Sequence, residues 1–173
     1  MCGFLFYADY LAKRGVRVVV PDLCGYGQST CNDLAVSNEP AAQVKAVTDA
    51  ARADGAEHVT LVGASMGGST AVHAARSTDA DALVDLSGPA EFNGMSIASD
   101  ASNVTMPAIF AFSHVDQADL DAVRAQLKAM PSKTKTFLTY DAGHGYDLLH
   151  RQDSVTHFTP LARRILQLID QAG

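Results

Sequence analysis

Ser65, His144 and Asp116 are the side chains whose types and surroundings fit covalent chemistry in this 173-residue sequence. A serine hydroxyl is a weak nucleophile near neutral pH. It needs a base within hydrogen-bond reach, and the base needs an acid that fixes its tautomer. Ser65 lies in Gly63-Ala64-Ser65-Met66-Gly67, after the apolar run Val59-Thr60-Leu61-Val62. Small and apolar residues follow at helical spacing. The order strand, tight turn, helix is the required setting of a G-x-S-x-G nucleophile elbow. Such a turn brings strand and helix backbones together, and Gly63 and Gly67 fit because neither carries a Cβ. A serine at the apex must take a strained backbone conformation, a cost met chiefly at functional sites.

The favoured base is His144, in Asp141-Ala142-Gly143-His144-Gly145. Glycines on both sides let the chain bend so that an imidazole points over the carboxyl ends of the strands, where open parallel sheets hold ligands. His114, which also follows a strand, is its rival. His58 begins the elbow strand, away from Ser65, and His73 lies two turns into the next helix. His150 and His157 have no turn chemistry around them. The favoured acid is Asp116, just past the strand Ala108 to Phe112. Asp85, near the end of the preceding strand, is the alternative, or else a structural hydrogen-bonding group. Asp119 and Asp121 read as first-turn acids that suit a helix dipole.

The elements that must position these residues alternate in type. Phe4 to Arg14 carries a helical apolar face stopped by Gly15, and Val16 to Val20 reads as a short, mostly buried strand stopped by Pro21. Pro40, behind Asn38 or Glu39, opens a helix to about Ala53. The elbow strand and helix follow, then strands at Ala82 to Leu86 and Ala108 to Phe112. Ala118 to Met130 is helical, Thr136 to Tyr140 is a strand, and Thr159-Pro160 starts a final helix. Residues 88–106 are polar and non-periodic. Short strands alternating with longer helices predict one α/β domain over residues 1–173, with a mostly parallel sheet covered on both faces.

Composition narrows the function classes. The chain is 47% hydrophobic and 18% charged, with a net charge of −6. That is a globular balance, and it offers no attraction for nucleic acid or an anionic membrane. No apolar run reaches the length of a membrane helix, and no basic-then-apolar leader opens the chain. Cys2, Cys24 and Cys31 lack metal-ligand spacing and read as reduced thiols of a cytoplasmic protein, with a Cys24–Cys31 bridge as the alternative. No metal or organic cofactor is implied. Gly25-Tyr26-Gly27-Gln28-Ser29 lacks the G-K-[ST] ending of a phosphate loop, and Ser65 stands where a dinucleotide fingerprint needs glycine.

The elbow, an acid after a later strand and a Gly-His-Gly base, in that chain order, resemble the α/β-hydrolase family. Asp22-Leu23-Cys24-Gly25-Tyr26-Gly27-Gln28-Ser29 is similar to its D-x-R-G-x-G-x-S loop, with Cys24 where arginine is common. The resemblance implies that Ser65 forms an acyl-enzyme, His144 relays the proton, Asp116 orients His144 and the Met66 N–H gives one oxyanion-hole donor. It also implies two or three strands ahead of Phe4. One of these should lie centrally between Val16 to Val20 and the elbow strand, with a second oxyanion donor on its loop. The chain is therefore expected to be N-terminally truncated, with Met1 internal to a longer reading frame.

About twenty residues separate Leu86 from Ala108, too few for a helical cap domain. An uncapped site suits small esters, thioesters or lactones, and the expected partner is a small carbonyl substrate. Phe92, Met95 and Ile97 either line a pocket or seal the sheet. The competing reading is an impaired hydrolase-like fragment that binds or interacts without turnover.

Overall fold

Apolar runs that are buried on both faces become the middle of a parallel sheet. In the computed structural model, which describes residues 2–32 and 38–173 (with the side chains of residues 2, 117 and 118 left aside), four strands lie side by side in chain order. They are β1 (Thr60–Ala64), β2 (Ala82–Leu86), β3 (Ala108–Ser113) and β4 (Lys135–Tyr140). All three pairings are parallel, with Val62 opposite Val84, Asp85 opposite Phe110 and Ala111 opposite Leu138. Every residue of β2 and β3 is buried.

The longer helices among the described residues are α1 (Leu5–Ala12), α2 (Pro40–Ala53), α3 (Met66–Ala74), α4 (Gln117–Leu127) and α5 (Pro160–Ala172). The period-two alternation of the central strands divides the core between two sets of them. Leu83, Phe110 and Phe112 pack with Val72 of α3 and with Leu120, Val123 and Leu127 of α4. Val84, Leu86, Ile109 and Ala111 point the other way, onto Tyr7 and Leu11 of α1 and onto Leu161, Ile165 and Leu168 of α5. The expected α/β sheet with helices on both faces is therefore present. The Tyr7 hydroxyl ties α1 to α5 by donating to the Ala162 carbonyl at 2.8 Å. Burial holds that phenol well above its usual pKa, so it remains a donor.

Helix starts follow capping chemistry. The Glu39 side chain accepts the Ala41 N–H at 3.2 Å, ahead of Pro40. Thr159 accepts the Ala162 N–H at 3.4 Å, ahead of Pro160. α1 ends before Gly15, whose φ is +87°.

Three expectations need correction. Val16 to Val20 is not a strand: it makes no ladder, although Val16 and Val18 pack against the α1 and α5 core and Val19 is exposed. A strand forms only where a neighbour completes its hydrogen bonds. The central strand expected beside it is not among the described residues, and β1 is an edge of the sheet. Residues 88–106, polar and non-periodic in sequence, carry regular structure where no element was expected. They hold a two-stranded hairpin, Glu91–Phe92 with Met95–Ser96, and the short helix Ile97–Asp100. A second hairpin pairs His150–Arg151 with Ser154–Phe158, where no strand was expected.

The third correction concerns the thiols. Cys24 and Cys31 form a disulfide, their Cα atoms 5.5 Å apart, within the normal bridging range. The pairing removes the thiol-based ground for a cytoplasmic location, since disulfides persist in oxidising compartments. The Cys2 side chain lies outside the described residues. No helix among the described residues is long and apolar enough to cross a membrane.

Candidate active site

Ser65 occupies the turn between β1 and α3 with φ 52° and ψ −126°. Positive φ is uncommon for a residue with a side chain, and the surroundings hold it there. Its N–H donates to the Leu86 carbonyl at 2.8 Å, and its own carbonyl accepts the Gly68 N–H at 2.8 Å. Gly63 is required by close approach: a Cβ there would run into the Gly67 carbonyl. No such clash arises at Gly67, where a Cβ would point into open space. The reading that both glycines serve the close approach holds for Gly63 alone. As the first residue of α3, Met66 has a backbone N–H with no intrahelical acceptor, and so a donor beside Ser65.

The structure brings His144 and Asp116 together. His144 Nδ1 lies 2.7 Å from Asp116 Oδ1, with the imidazole half exposed and the carboxylate buried. The other carboxylate oxygen accepts the Ser113 N–H at 2.9 Å and the Ser87 hydroxyl at 2.8 Å. Burial pushes the Asp116 pKa up. The Ser113 N–H, the His144 imidazole and the Ser87 hydroxyl together outweigh it and hold the carboxyl below its usual range.

The loop that carries His144 is seated on the elbow. Gly143 and Gly145 have φ +101° and +58°, so both flanking glycines adopt left-handed backbone. A Cβ on Gly145 would lie 3.2 Å from Ala64 Cβ and 3.7 Å from the Ser65 nitrogen. Ser65 Oγ itself makes no hydrogen bond to His144 or to any other described residue.

The rival side chains have other work. Asp85 is fully buried beneath the elbow helix, and its Oδ1 accepts the Gly88 N–H at 2.7 Å. Cβ atoms on Gly68 or Gly88 would collide with that carboxylate. Burial pushes its pKa up to about 7 against the Gly88 hydrogen bond, with Asp116 and Asp119 adding repulsion. Asp119 is more than a first-turn acid, because its Oδ1 accepts the Ala90 N–H at 2.8 Å. His114 is exposed. His73 sits 2.7 Å from Asp100 and 3.3 Å from Glu39. His58 lies near Asp81, and His150 faces Asp147.

Two residues of the site were missed in the sequence. Ser87, buried and with φ 58°, donates to Asp116 and accepts the Gly145 N–H at 3.0 Å. Ser113 donates its hydroxyl to the Gly143 carbonyl. Both sit at the ends of central strands, and that placement was the available signal.

Residues 3–172 match the sequence model of the Alpha/beta hydrolase family. Comparison with curated proteins finds no match. Among solved structures, dienelactone hydrolase from Anabaena variabilis is similar at TM-score 0.59 and 16% identity, over 76% of this chain and 58% of that one. An alpha-beta serine hydrolase homologue from Coxiella burnetii is similar at TM-score 0.65 and 16% identity, over 99% of this chain and 76% of that one. The chain thus spans little more than half the length of the first of these structures. At such identities the likeness is one of fold.

Proposed function

The chain belongs to the Alpha/beta hydrolase family, and we propose that it works as a serine hydrolase on small ester, thioester or lactone substrates. The observation that carries this reading is the His144–Asp116 pair, 2.7 Å apart, with the His144 loop seated against the backbone of Ser65. In this scheme Ser65 Oγ bonds to the substrate carbonyl carbon while His144 Nε2 takes the hydroxyl proton. The Met66 N–H stabilises the oxyanion. The carbonyl reforms, the bond to the leaving group breaks, and His144 returns the proton to the departing alcohol or thiol. Water then repeats the sequence on the acyl-enzyme, releasing the acid and restoring Ser65. Asp116 keeps His144 in the tautomer that presents Nε2 to the serine.

A fluorophosphonate probe tests the reading. It is expected to label the protein at Ser65, with labelling lost in Ser65→Ala. Labelling that survives Ser65→Ala overturns Ser65 as nucleophile.

One observation favours a second reading, an impaired hydrolase-like binding module. Ser65 Oγ is not hydrogen bonded to His144. Such bonds are often loose without substrate and tighten in the complex, which keeps the hydrolase reading first. Binding of small esters without labelling by the probe is the result that selects the module.

A further inference from the structure

Two exposed tyrosines adjoin the neighbours of Ser65. Tyr26 is 55% exposed and Tyr146 is 42% exposed. Each is anchored to a neighbour of the serine. The Tyr26 hydroxyl lies 3.8 Å from the Met66 sulfur, one residue past Ser65. Tyr146 follows Gly145, the residue packed on Ala64 and the Ser65 nitrogen. The Tyr26 side chain is thus held against the residue after the serine, and Tyr146 follows a glycine packed against the residue before it.

The Tyr26 loop and the Tyr146 ring are each held in place. Tyr26 sits inside the Cys24–Cys31 cross-link, with its N–H on the Leu23 carbonyl at 2.9 Å and its carbonyl on the Ser29 N–H at 2.9 Å. That loop is fixed to α2 through the Cys24 N–H and Gln43 Oε1, 2.8 Å apart. The Tyr146 ring rests on Gly3, where a Cβ would come within 2.6 Å of it. The rings of Phe4 and His150 each lie 6.3 Å from it, centroid to centroid. A rigid aromatic ring with an open face binds another flat ring at little cost in conformational entropy.

We propose that Tyr26 and Tyr146 are the specificity-determining walls of the substrate site, and that its favoured substrates are carbonyl esters bearing a flat aromatic group next to the bond that breaks. The proposal rests on the serine-hydrolase reading above and adds the substrate class to it. The phenol of Tyr26 is engaged with Met66, so the ring faces, not the hydroxyl, meet the substrate. A leucine at either position keeps the bulk and removes the π surface.

The test is the ratio of kcat/KM for benzyl acetate to that for methyl acetate, in the wild type and in Tyr26→Leu, Tyr146→Leu and Tyr26→Phe. Fluorophosphonate titration of Ser65 counts competent sites in each. Intrinsic ester reactivity cancels when a variant's ratio is divided by that of the wild type. Each leucine variant is expected to lower the ratio by about tenfold, mainly through KM, while Tyr26→Phe stays within about twofold. A ratio unchanged in both leucine variants overturns this inference alone, as does labelling at Ser65 without turnover of the benzyl ester. Absence of Ser65 labelling in the wild type overturns the hydrolase reading and this inference together.

Discussion

The Ser87 hydroxyl donates to Asp116 Oδ2 at 2.8 Å and accepts the Gly145 N–H at 3.0 Å. One buried group therefore joins the carboxylate that faces His144 to the backbone just past it. Ser87→Ala removes both bonds at once and leaves the Gly145 N–H without an acceptor. Stability is expected to fall by about 1–3 kcal/mol in urea unfolding. Turnover of a small ester is expected to drop about tenfold in kcat with little change in KM, since no substrate contact is lost. Ser87→Gly relieves the positive φ of 58° but still lacks the hydroxyl. It is expected to recover only the part of the loss that the positive φ adds, and to leave kcat low.

Asp116 has a depressed pKa in the fold. Its charged form is favoured there, so its contribution to stability is present above the unfolded value of 3.8 and is lost as pH falls through the lower folded value. Acid unfolding followed by circular dichroism is expected to show this loss in the wild type and not in Asp116→Asn. The same variant is expected to lose about 10⁴-fold in kcat, the scale seen when the acid of a Ser-His-Asp triad is neutralised.

Asp85 carries the opposite sign. Its folded pKa, pushed up to about 7, exceeds the unfolded 3.8, so the folded state binds the extra proton between those values. That contribution is complete below the unfolded pKa and disappears as pH rises through about 7, with a limiting slope of about 1.4 kcal/mol per pH unit. Asp85→Asn mimics the neutral acid and keeps the acceptor for the Gly88 N–H. Denaturant midpoints between about pH 4 and pH 8 are expected to fall with pH in the wild type and to stay flatter in the variant.

The Cys24–Cys31 bridge closes a short loop. By chain entropy, losing it costs about 2 kcal/mol of stability. Cys31→Ser, or the wild type in dithiothreitol, is expected to unfold at correspondingly lower urea. Release of the Tyr26 loop is also expected to raise KM for aromatic esters more than for methyl esters.

Local chemistry made much of this protein legible in its sequence. Gly63 must lack a Cβ because the next helix crosses its strand, and that local fact marks Ser65. The nearly continuous apolar runs at 82–86 and 108–112 read as strands, and Thr159-Pro160 reads as a helix start. His144 and Asp116 are favoured in the sequence because both follow strands of one parallel sheet and glycines flank the histidine, with His114 and Asp85 as rivals. Tertiary structure decided the rest. Val16 to Val20 has strand composition and forms none, because a strand exists only with a partner to complete its hydrogen bonds. Asp85 and Asp116 are equivalent as letters near strand ends. Their roles diverge because one lies under a helix, facing two glycines, and the other lies where an imidazole, a hydroxyl and an N–H converge. Ser87 joins residues 29 and 58 positions away. A bond between groups so far apart in the chain leaves no local pattern, and only the folded sheet brings them together.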